Sequence, residues 1–196
     1  VHTIDGQFFD AVIPNYFEPE DFPYSEKKDD YYLFIGRLVD RKGYRIAQEV
    51  CKRLKKRLVV AGPGEFDGYG EYVGPVGPEL RADLMSKAQG VFVPTLYIEP
   101  FGGVAAEAQM CGTPVITTDW GAFTETVMPG FTGFRCRTLQ EFLDATQDVA
   151  KFSNEQRLEI QKRAHQSFST ESVKYMYQRY FERLLTLWDD GWYNTK

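Results

Sequence analysis

The sequence predicts an α/β protein with a Rossmann-like parallel sheet that has helices on both faces and ends in several helices. Two observations support this prediction. From residue 31 onward, short apolar runs alternate with stretches of helical periodicity, and strands that are separated by helices indicate a parallel sheet covered on both faces. After residue 136 the chain has only helical character, which adds the terminal helices.

The elements follow in chain order. Residues 1–30 are irregular, contain Pro14, Pro19 and Pro23, and form a linker that leads into the first strand. The predicted strands are 31–36, 57–62, a weak one at 71–74, 90–94 and 114–118. The predicted helices are 43–54, 79–88, 102–111 and about 170–189. The last helix is rich in aromatic residues, so its apolar face either packs on its own domain or is partly exposed.

Composition limits the possible functions. At 196 residues, without a run of about eighteen apolar residues, the chain is expected to form one soluble domain. A net charge of −5 without a basic block argues against nucleic acid as the main partner. Cys51, Cys111 and Cys136 lie far apart and lack C-x-x-C spacing, so we expect reduced core thiols rather than disulfides or a zinc site. That expectation fits a cytoplasmic protein.

Ligands of such sheets bind at the carboxyl ends of the strands, so the loops after those ends are candidate sites. The loop GRLVDRKG (36–43) brings Arg37 and Lys42 to that edge. The two cations could neutralise a diphosphate, with a solvated basic loop as the alternative. The glycines of AGPGEFDGYG are superficially similar to a dinucleotide fingerprint, but no clear helix follows them, so we do not assign one.

The segment YIEPFGGVAAEAQMCGTPVI (97–116) contains two acids, Glu99 and Glu107, around a pair of glycines. Gly102 and Gly103 start a helix just past a strand, so backbone N–H groups and the positive helix end can face a phosphate. Carboxylates accept hydrogen bonds from sugar hydroxyls on either side of a diphosphate. The segment therefore favours a sugar-nucleotide site over two unrelated surface acids.

The helix in this segment also has a predicted orientation. Val104, Ala108 and Cys111 lie at i, i+4 and i+7 and are predicted to form its buried face. That orientation turns Glu107 toward a flank of the helix, in reach of hydroxyls rather than phosphates.

Several motifs together resemble one family. They are VIPNYFEPEDF (12–22), FIGRLVDRKG (34–43), EPFGGVAAE (99–107), GTPVITTDWGAFTETV (112–127) and GFTGF (130–134). With them nearly the whole chain resembles the C-terminal, donor-binding domain of glycosyltransferase family 4, a group of retaining enzymes with the GT-B fold. EPFGGVAAE fits the family's pattern of two glutamates separated by seven residues. The segment DWGAFTE departs from the form of this segment that is commoner in the family, which has two glycines, because here Ala122 and Phe123 follow Gly121.

The resemblance implies roles for the charged residues. Gly36 is one of the implied donor-binding residues, and Arg37 and Lys42 match the pair that binds the donor diphosphate. Glu99 matches the acid that contacts the donor sugar, and Glu107 the acid that contacts the ribose. Arg37, Lys42 and Glu99 are thereby the implied catalytic residues.

The resemblance also implies backbone contacts. Main-chain groups at Phe101, Gly102, Gly103 and Val104 would hold the sugar and the phosphates. Val76, in GPVGPE, lies where members of the family hold the base.

The implied reaction moves a sugar from a nucleoside diphosphate sugar of the UDP or GDP type to a hydroxyl acceptor, with retention. Arg37, Lys42 and the helix end would stabilise the leaving diphosphate without a metal or another cofactor. Neither glutamate need be a nucleophile, because a retaining glycosidase sets its two carboxyl groups about 5 Å apart across one bond. A sugar-nucleotide epimerase of the GT-B fold and a non-catalytic nucleotide-binding module remain alternatives. A nicotinamide-dependent oxidoreductase is disfavoured, since the fingerprint is missing.

The resemblance further implies three regions and their partners. Residues 1–30 are the interdomain linker, 31–168 the nucleotide-sugar-binding domain, and 169–196 a helix that crosses to an N-terminal acceptor domain. The isolated domain is then expected to bind the donor without transferring its sugar. Peripheral membrane association of the full-length enzyme is also implied. We expect no functional role for His2 or His165.

Overall fold

The computed structural model describes residues 11–189, which form a six-stranded sheet with helices around it. The strands are β1 (Tyr32–Ile35), β2 (Leu58–Ala61), β3 (Glu71–Gly74), β4 (Val91–Val93), β5 (Val115–Thr118) and β6 (Gly133–Cys136). The helices are α1 (Tyr44–Leu54), α2 (Pro78–Lys87), α3 (Gly103–Met110), α4 (Phe123–Thr126), α5 (Leu139–Val149), α6 (Asn154–Phe168) and α7 (Thr170–Asp189). Short 3₁₀ helices lie at Pro19–Asp21 and Asp40–Lys42.

The order of the strands fixes where a ligand can bind. The sheet runs β3-β2-β1-β4-β5-β6, and every neighbouring pair is parallel. The chain therefore adds β2 and β3 on one side of β1, and then β4, β5 and β6 on its other side. The chain leaves β1 for α1 on one face of the sheet and β4 for α3 on the other. Doubly wound proteins bind their ligands at the carboxyl edge beside such a switch point.

Apolar side chains of each central strand point to both faces, as the two-residue period of a strand requires. Leu33 and Ile35 of β1 pack with α2 and α3 on one face. Tyr32 and Phe34 pack with α1 and α5 on the other face. Both faces are thus covered by helices, which confirms the predicted fold class.

The predicted strands and helices are all present, with ends within one residue of the prediction. Two further elements, β6 and α4, were not predicted. β6 lacks a continuous apolar run, because its two central residues, Phe134 and Arg135, are only partly buried at the edge of the sheet. Gly133 allows the strand to pair, since a Cβ there would lie 2.0 Å from the Val115 carbonyl oxygen.

The three cysteines, at positions 51, 111 and 136, are buried and free. Burial raises the pKa of each thiol to about 12. The prediction of core thiols is therefore confirmed. No helix within residues 11–189 is both long enough and apolar enough to cross a membrane.

The lead-in and the terminal helices lie together. The Phe17 N–H donates to the Phe168 carbonyl (2.8 Å), and Phe17 forms a parallel bridge with Ser169 at the start of α7. On α7 itself Phe181 is 57% exposed and Leu185 is 71% exposed. Of the two expectations for this helix, partial exposure is the one observed.

The division into three regions and the crossing of the last helix to another domain remain predictions. Residues 1–10 of the predicted linker, His2 and residues 190–196 lie outside the described part of the chain. His165 lies partly buried on α6.

Candidate functional site

The loops after β1 and β4 touch each other at the carboxyl edge of the sheet. Gly43, with a φ of +72°, packs so closely that a Cβ would lie 1.9 Å from the Pro94 carbonyl oxygen. The Leu96 N–H donates to the Arg41 carbonyl (2.8 Å). These contacts bring Lys42, from the first loop, next to the second loop.

Lys42 is held there by two side chains. Its ammonium group donates to the Glu99 carboxylate (3.1 Å) and to the Tyr97 hydroxyl (2.5 Å), and it lies 4.9 Å from the centre of the Tyr97 ring. Burial lowers the pKa of Lys42, but the hydrogen bonds to Tyr97 and Glu99 outweigh burial and raise it above its usual value. The structure thus unites Lys42 and Glu99, two predicted site residues, and adds Tyr97, which was not predicted.

Arg37 lies in the same loop as Lys42, directly after Gly36. Its side chain is exposed and forms no ion pair with any residue that the structure describes. The loop is held against the end of β2, because a Cβ on Gly62 would lie 2.0 Å from the Gly36 carbonyl oxygen. Arg37 is therefore a cation available to an incoming anion.

The N-terminus of α3 opens onto the same edge. Gly102 has a φ of +79°, and a Cβ there would lie 2.6 Å from the ring of Phe123. The first helical hydrogen bond runs from the Ala105 N–H to the Gly102 carbonyl (2.9 Å), so the N–H groups of Gly103 and Val104 precede the helical ladder. A Cβ on Gly103 would meet no atom within 4 Å. The helix end therefore presents backbone donors to open space.

Phe101 directly precedes the two glycines at the start of α3. Its ring turns away from this edge and packs against Phe168 (5.7 Å between ring centres) and Phe17 (6.3 Å). The side chain thus anchors the loop to the terminal helices, and the main-chain contact of Phe101 with a ligand stays a prediction.

The segment that departs from the family pattern supports the loop that carries Glu99. The Ala122 N–H donates to the Glu99 carbonyl (2.9 Å), and the Trp120 indole donates to the Tyr97 carbonyl (3.0 Å). Gly121 has a φ of +61°, and a Cβ there would lie 2.7 Å from the Glu99 carbonyl oxygen. One glycine is therefore sufficient for the close approach of the two loops.

Glu107 lies apart from Lys42 and is paired with Arg81 of α2. Its side chain is 15% exposed and that of Arg81 is 34% exposed. Burial raises the pKa of Glu107, and the Arg81 charge opposes that rise only in part. Glu107 is on a flank of α3 as predicted, but it is ion-paired. No local sequence pattern points to Arg81, because the pair joins two separate helices.

The predicted buried face of α3 needs a correction. Ala108 and Cys111 are fully buried, but Val104 is only partly buried because it lies at the open N-terminus. The helix is also buried on its opposite side, where Ala106 and Met110 pack against α6. The prediction that α3 has a single buried face was therefore wrong.

A cavity of 260 Å³ adjoins Glu107 and Arg81. Val76 and Pro78 line it from the start of α2, and Asp21 and Phe22 line it from the lead-in. Val76 and Glu107 thus line the same cavity, and their contacts with the base and the ribose of a ligand stay predictions. The part played by the lead-in was not predicted.

Comparison with known proteins identifies relatives of this chain. The sequence model of a family described as "Glycosyl transferases group 1" matches residues 29–151. The D-inositol 3-phosphate glycosyltransferase of Rhodococcus erythropolis is 47% identical over 125 residues, which cover 51% of this chain and 28% of that protein. An uncharacterized glycosyltransferase of Methanocaldococcus jannaschii is 33% identical over 112 residues, 48% of this chain and 28% of that protein. The chain spans less than a third of the length of these relatives.

Two solved structures have the same fold. AviGT4, a glycosyltransferase involved in avilamycin A biosynthesis, matches with a TM-score of 0.79 and 26% identity, over 93% of this chain and 60% of its own. HepE of Anabaena, solved with UDP and glucose, matches with a TM-score of 0.74 and 19% identity, over 88% of this chain and 56% of its own.

The sheet order and these comparisons define the class of protein as the C-terminal domain of a GT-B glycosyltransferase. The match over most of the chain is more specific, and it shows that the chain belongs to the glycosyl transferases group 1 family. The finer assignment to glycosyltransferase family 4 remains a prediction.

Proposed function

We propose that this chain is the donor-binding domain of a retaining glycosyltransferase, which moves a sugar from a UDP- or GDP-type sugar nucleotide to a hydroxyl acceptor. The observation that carries the proposal is the meeting of Lys42, Glu99 and the N-terminal amides of α3 in the crevice between β1 and β4. A diphosphate there would have cations on one side and backbone donors on the other.

The diphosphate is the leaving group in this reaction, so its developing charge has to be stabilised. Lys42 has three N–H donors, of which Tyr97 and Glu99 engage two, and the third can serve a phosphate oxygen. Arg37 adds an exposed guanidinium, and the start of α3 adds N–H groups and the positive end of its dipole. These groups are the reason for proposing transfer without a metal or other cofactor.

The two acids bind hydroxyl groups in this proposal. Glu99 engages Lys42 through one carboxylate oxygen, which leaves the other for a hydroxyl of the donor sugar. Glu107 likewise engages Arg81 through one oxygen and offers the other to the ribose. Each cation keeps its acid in place, so neither carboxylate has to act as a nucleophile.

The acceptor half of the reaction is assigned to an N-terminal domain. The match covers 28% of each of the two relatives, so they are more than three times as long as the matched part. The exposed apolar face of α7 is available to such a domain. Transfer by positioning requires both substrates in one closed cleft. We therefore propose that the chain alone binds a sugar nucleotide without transferring its sugar. We also propose a cytoplasmic enzyme with peripheral membrane association.

A calorimetric screen of UDP, GDP, ADP and their sugar conjugates tests the proposal. UDP or GDP should bind, and its sugar conjugate should bind more tightly. Arg41→Ala is the matched control, because it removes an exposed charge from the same loop as Arg37 and Lys42. Absence of binding by every nucleotide would refute the proposal. Formation of an epimer from the donor alone would favour an epimerase instead.

A further inference from the structure

Four phenylalanine rings form a cluster next to the N-terminus of α3. Two of them, Phe17 and Phe22, belong to the lead-in, and their ring centres are 5.5 Å apart. Phe101 directly precedes the glycines at the start of α3, and Phe168 ends α6. The centre of the Phe101 ring lies 6.3 Å from that of Phe17 and 5.7 Å from that of Phe168. The cluster therefore joins the loop before α3 to the lead-in.

Backbone hydrogen bonds hold Phe17 to the junction of α6 and α7. The Phe17 N–H donates to the Phe168 carbonyl (2.8 Å), and the Thr170 N–H donates to the Phe17 carbonyl (3.0 Å). The two rings that contact Phe101 are therefore held together as one unit. Phe168 is 8% exposed and belongs to one apolar cluster with Ala106 of α3, so this unit is fixed to the core.

The amides at the start of α3 follow two glycines, and glycine loses more conformational freedom on ordering than any other residue. Phe123 restrains Gly102 from one side, because a Cβ there would lie 2.6 Å from its ring. Gly103 has no such neighbour, since a Cβ there would meet no atom within 4 Å. Of the side chains on the preceding loop, Phe101 is the one next to the glycines, so its packing helps to set the direction of the Gly103 N–H.

We propose that Phe17 and Phe168 are positioning residues for the donor diphosphate. Through Phe101 they hold the N–H groups of Gly103 and Val104 in place, so docking of the lead-in and binding of the diphosphate stabilise each other. This inference rests on the proposed function, which places the diphosphate at these amides. Such linkage is reciprocal, so the docked lead-in raises the affinity for the ligand by the same factor by which the ligand favours docking.

The attachment of the lead-in at Phe17 is small enough to open locally. It has two main-chain hydrogen bonds, and the Phe17 ring is only partly buried. Segments with few buried contacts open at a lower free-energy cost than the whole fold. A molecule that has opened at Phe17 keeps Lys42 and Glu99 but loses one side of the Phe101 anchor. The observed affinity then depends on the fraction of molecules in which the lead-in is docked.

Calorimetry with UDP, or with GDP where that is the nucleotide that binds, tests the inference on the 196-residue chain. Phe17→Ala should weaken binding about two- to tenfold, the range that one aromatic pair contributes. Phe17→Leu should recover part of the loss, because it restores apolar bulk against Phe101. Tyr16→Ala is the matched control and should leave the affinity unchanged. Tyr16 is the adjacent residue, is 52% exposed, and its ring contacts Tyr177 of α7.

Hydrogen exchange, followed residue by residue, gives a readout that a purely structural role would not change. In the unsubstituted chain, saturation with the same nucleotide should slow exchange of the Phe17 and Thr170 amides about two- to tenfold. The Asp29 amide holds the other end of the lead-in to the Lys87 carbonyl (2.8 Å). Exchange of the Asp29 amide should not change.

Unchanged affinity in Phe17→Ala, or an equal loss in Tyr16→Ala, would overturn the inference. Unchanged exchange at Phe17 and Thr170 would also overturn it. Equal slowing at Asp29 would do the same, because the ligand would then only stabilise the whole fold. The exchange measurement needs no variant, so it decides the question even if Phe17→Ala does not fold. Absence of nucleotide binding by the unsubstituted chain would instead refute the proposed function, and this inference with it.

Discussion

The two glutamates that frame the start of α3 each pair with a cation, yet the two pairs are built differently. Lys42 ends the short 3₁₀ helix in the connection after β1, and Glu99 lies in the loop after β4, so the pair joins these two connections. Arg81 and Glu107 both lie on helices, and the pair joins α2 to α3. The first pair depends on how two loops are held together, and the second on how two helices pack.

The charges of the two pairs respond to burial in different ways. At the first pair burial opposes the charge of Lys42, but hydrogen bonds raise the pKa of Lys42 and keep it a cation. At the second pair burial dominates and raises the pKa of Glu107, with Arg81 opposing that rise only in part. Lys42 of the Lys42–Glu99 pair therefore keeps a constant positive charge, which favours binding of a diphosphate. The Arg81–Glu107 pair instead favours a neutral hydroxyl group as its ligand.

Removing the cations of the loop region should give the largest effect on binding. Lys42→Ala and Arg37→Ala should each weaken nucleoside diphosphate binding by about 1.5 to 3 kcal/mol, as expected for charge-assisted contacts. Lys42→Ala should lie at the upper end, because it leaves the Glu99 carboxylate uncompensated beside the phosphates. Calorimetry at constant ionic strength measures both effects.

Arg41→Ala shows whether these losses depend on position or only on net charge. Arg41 is an exposed neighbour of Lys42, and its charge is largely screened. Arg41→Ala should therefore weaken nucleotide binding by less than about 0.5 kcal/mol. Unchanged affinity in both Lys42→Ala and Arg37→Ala would remove the loop region from the binding site.

Breaking the helix pair should affect stability. Arg81→Met leaves Glu107, which is 15% exposed, without its cation, so the free energy of unfolding should fall by about 1 to 2 kcal/mol. We expect less than for a fully buried pair, because Arg81 itself is partly exposed. Urea unfolding measures the change, and Arg81→Met combined with Glu107→Gln should recover part of it. No recovery in the double variant would contradict the pairing.

The Arg81–Glu107 pair should also make the free energy of unfolding depend on pH. Because the pKa of Glu107 in the folded chain is above its usual 4.5, the folded state holds this proton more tightly than the unfolded state does. Its contribution to stability is therefore present below pH 4.5 and is lost as pH rises through the pKa of the folded state. The slope of unfolding free energy against pH should become less negative in that window in Glu107→Gln. An identical slope in the variant would show that burial of Glu107 does not set its protonation.

Tyr97→Phe should give a smaller effect at the loop pair. It keeps the ring next to the Lys42 ammonium and removes only the hydroxyl that accepts a hydrogen bond from it. Nucleotide affinity should fall by about 0.5 to 1.5 kcal/mol, the range for one hydrogen bond. A loss as large as that of Lys42→Ala would mean that Tyr97 itself contacts the ligand.

Much of the fold could be predicted because the central strands are continuous apolar runs that alternate with helices. β6 was not predicted, because an edge strand buries only part of its surface and so lacks a continuous apolar run. Lys42 and Glu99 were predicted separately, and their meeting follows from the sheet order, which brings the loops after β1 and β4 together.

The partners of the site residues could not be predicted. Tyr97 and Arg81 contact their partners across loops and helices that are distant in sequence, and no local pattern encodes such contacts. Val104 was misassigned because α3 is buried on two sides, so an apolar residue at its end is not distinguished by periodicity.

The central claim is that the donor extends from Glu99, at its sugar, to Glu107, at its ribose. Calorimetry of Glu99→Gln and Glu107→Gln with UDP or GDP, whichever binds, and with its sugar conjugate tests this order directly. Glu107→Gln should weaken the bare nucleotide and the conjugate alike, because both contain the ribose. Glu99→Gln should leave the bare nucleotide nearly unchanged and reduce only the additional affinity that the sugar provides. The reverse pattern, or equal responses of both variants to both ligands, would contradict the account.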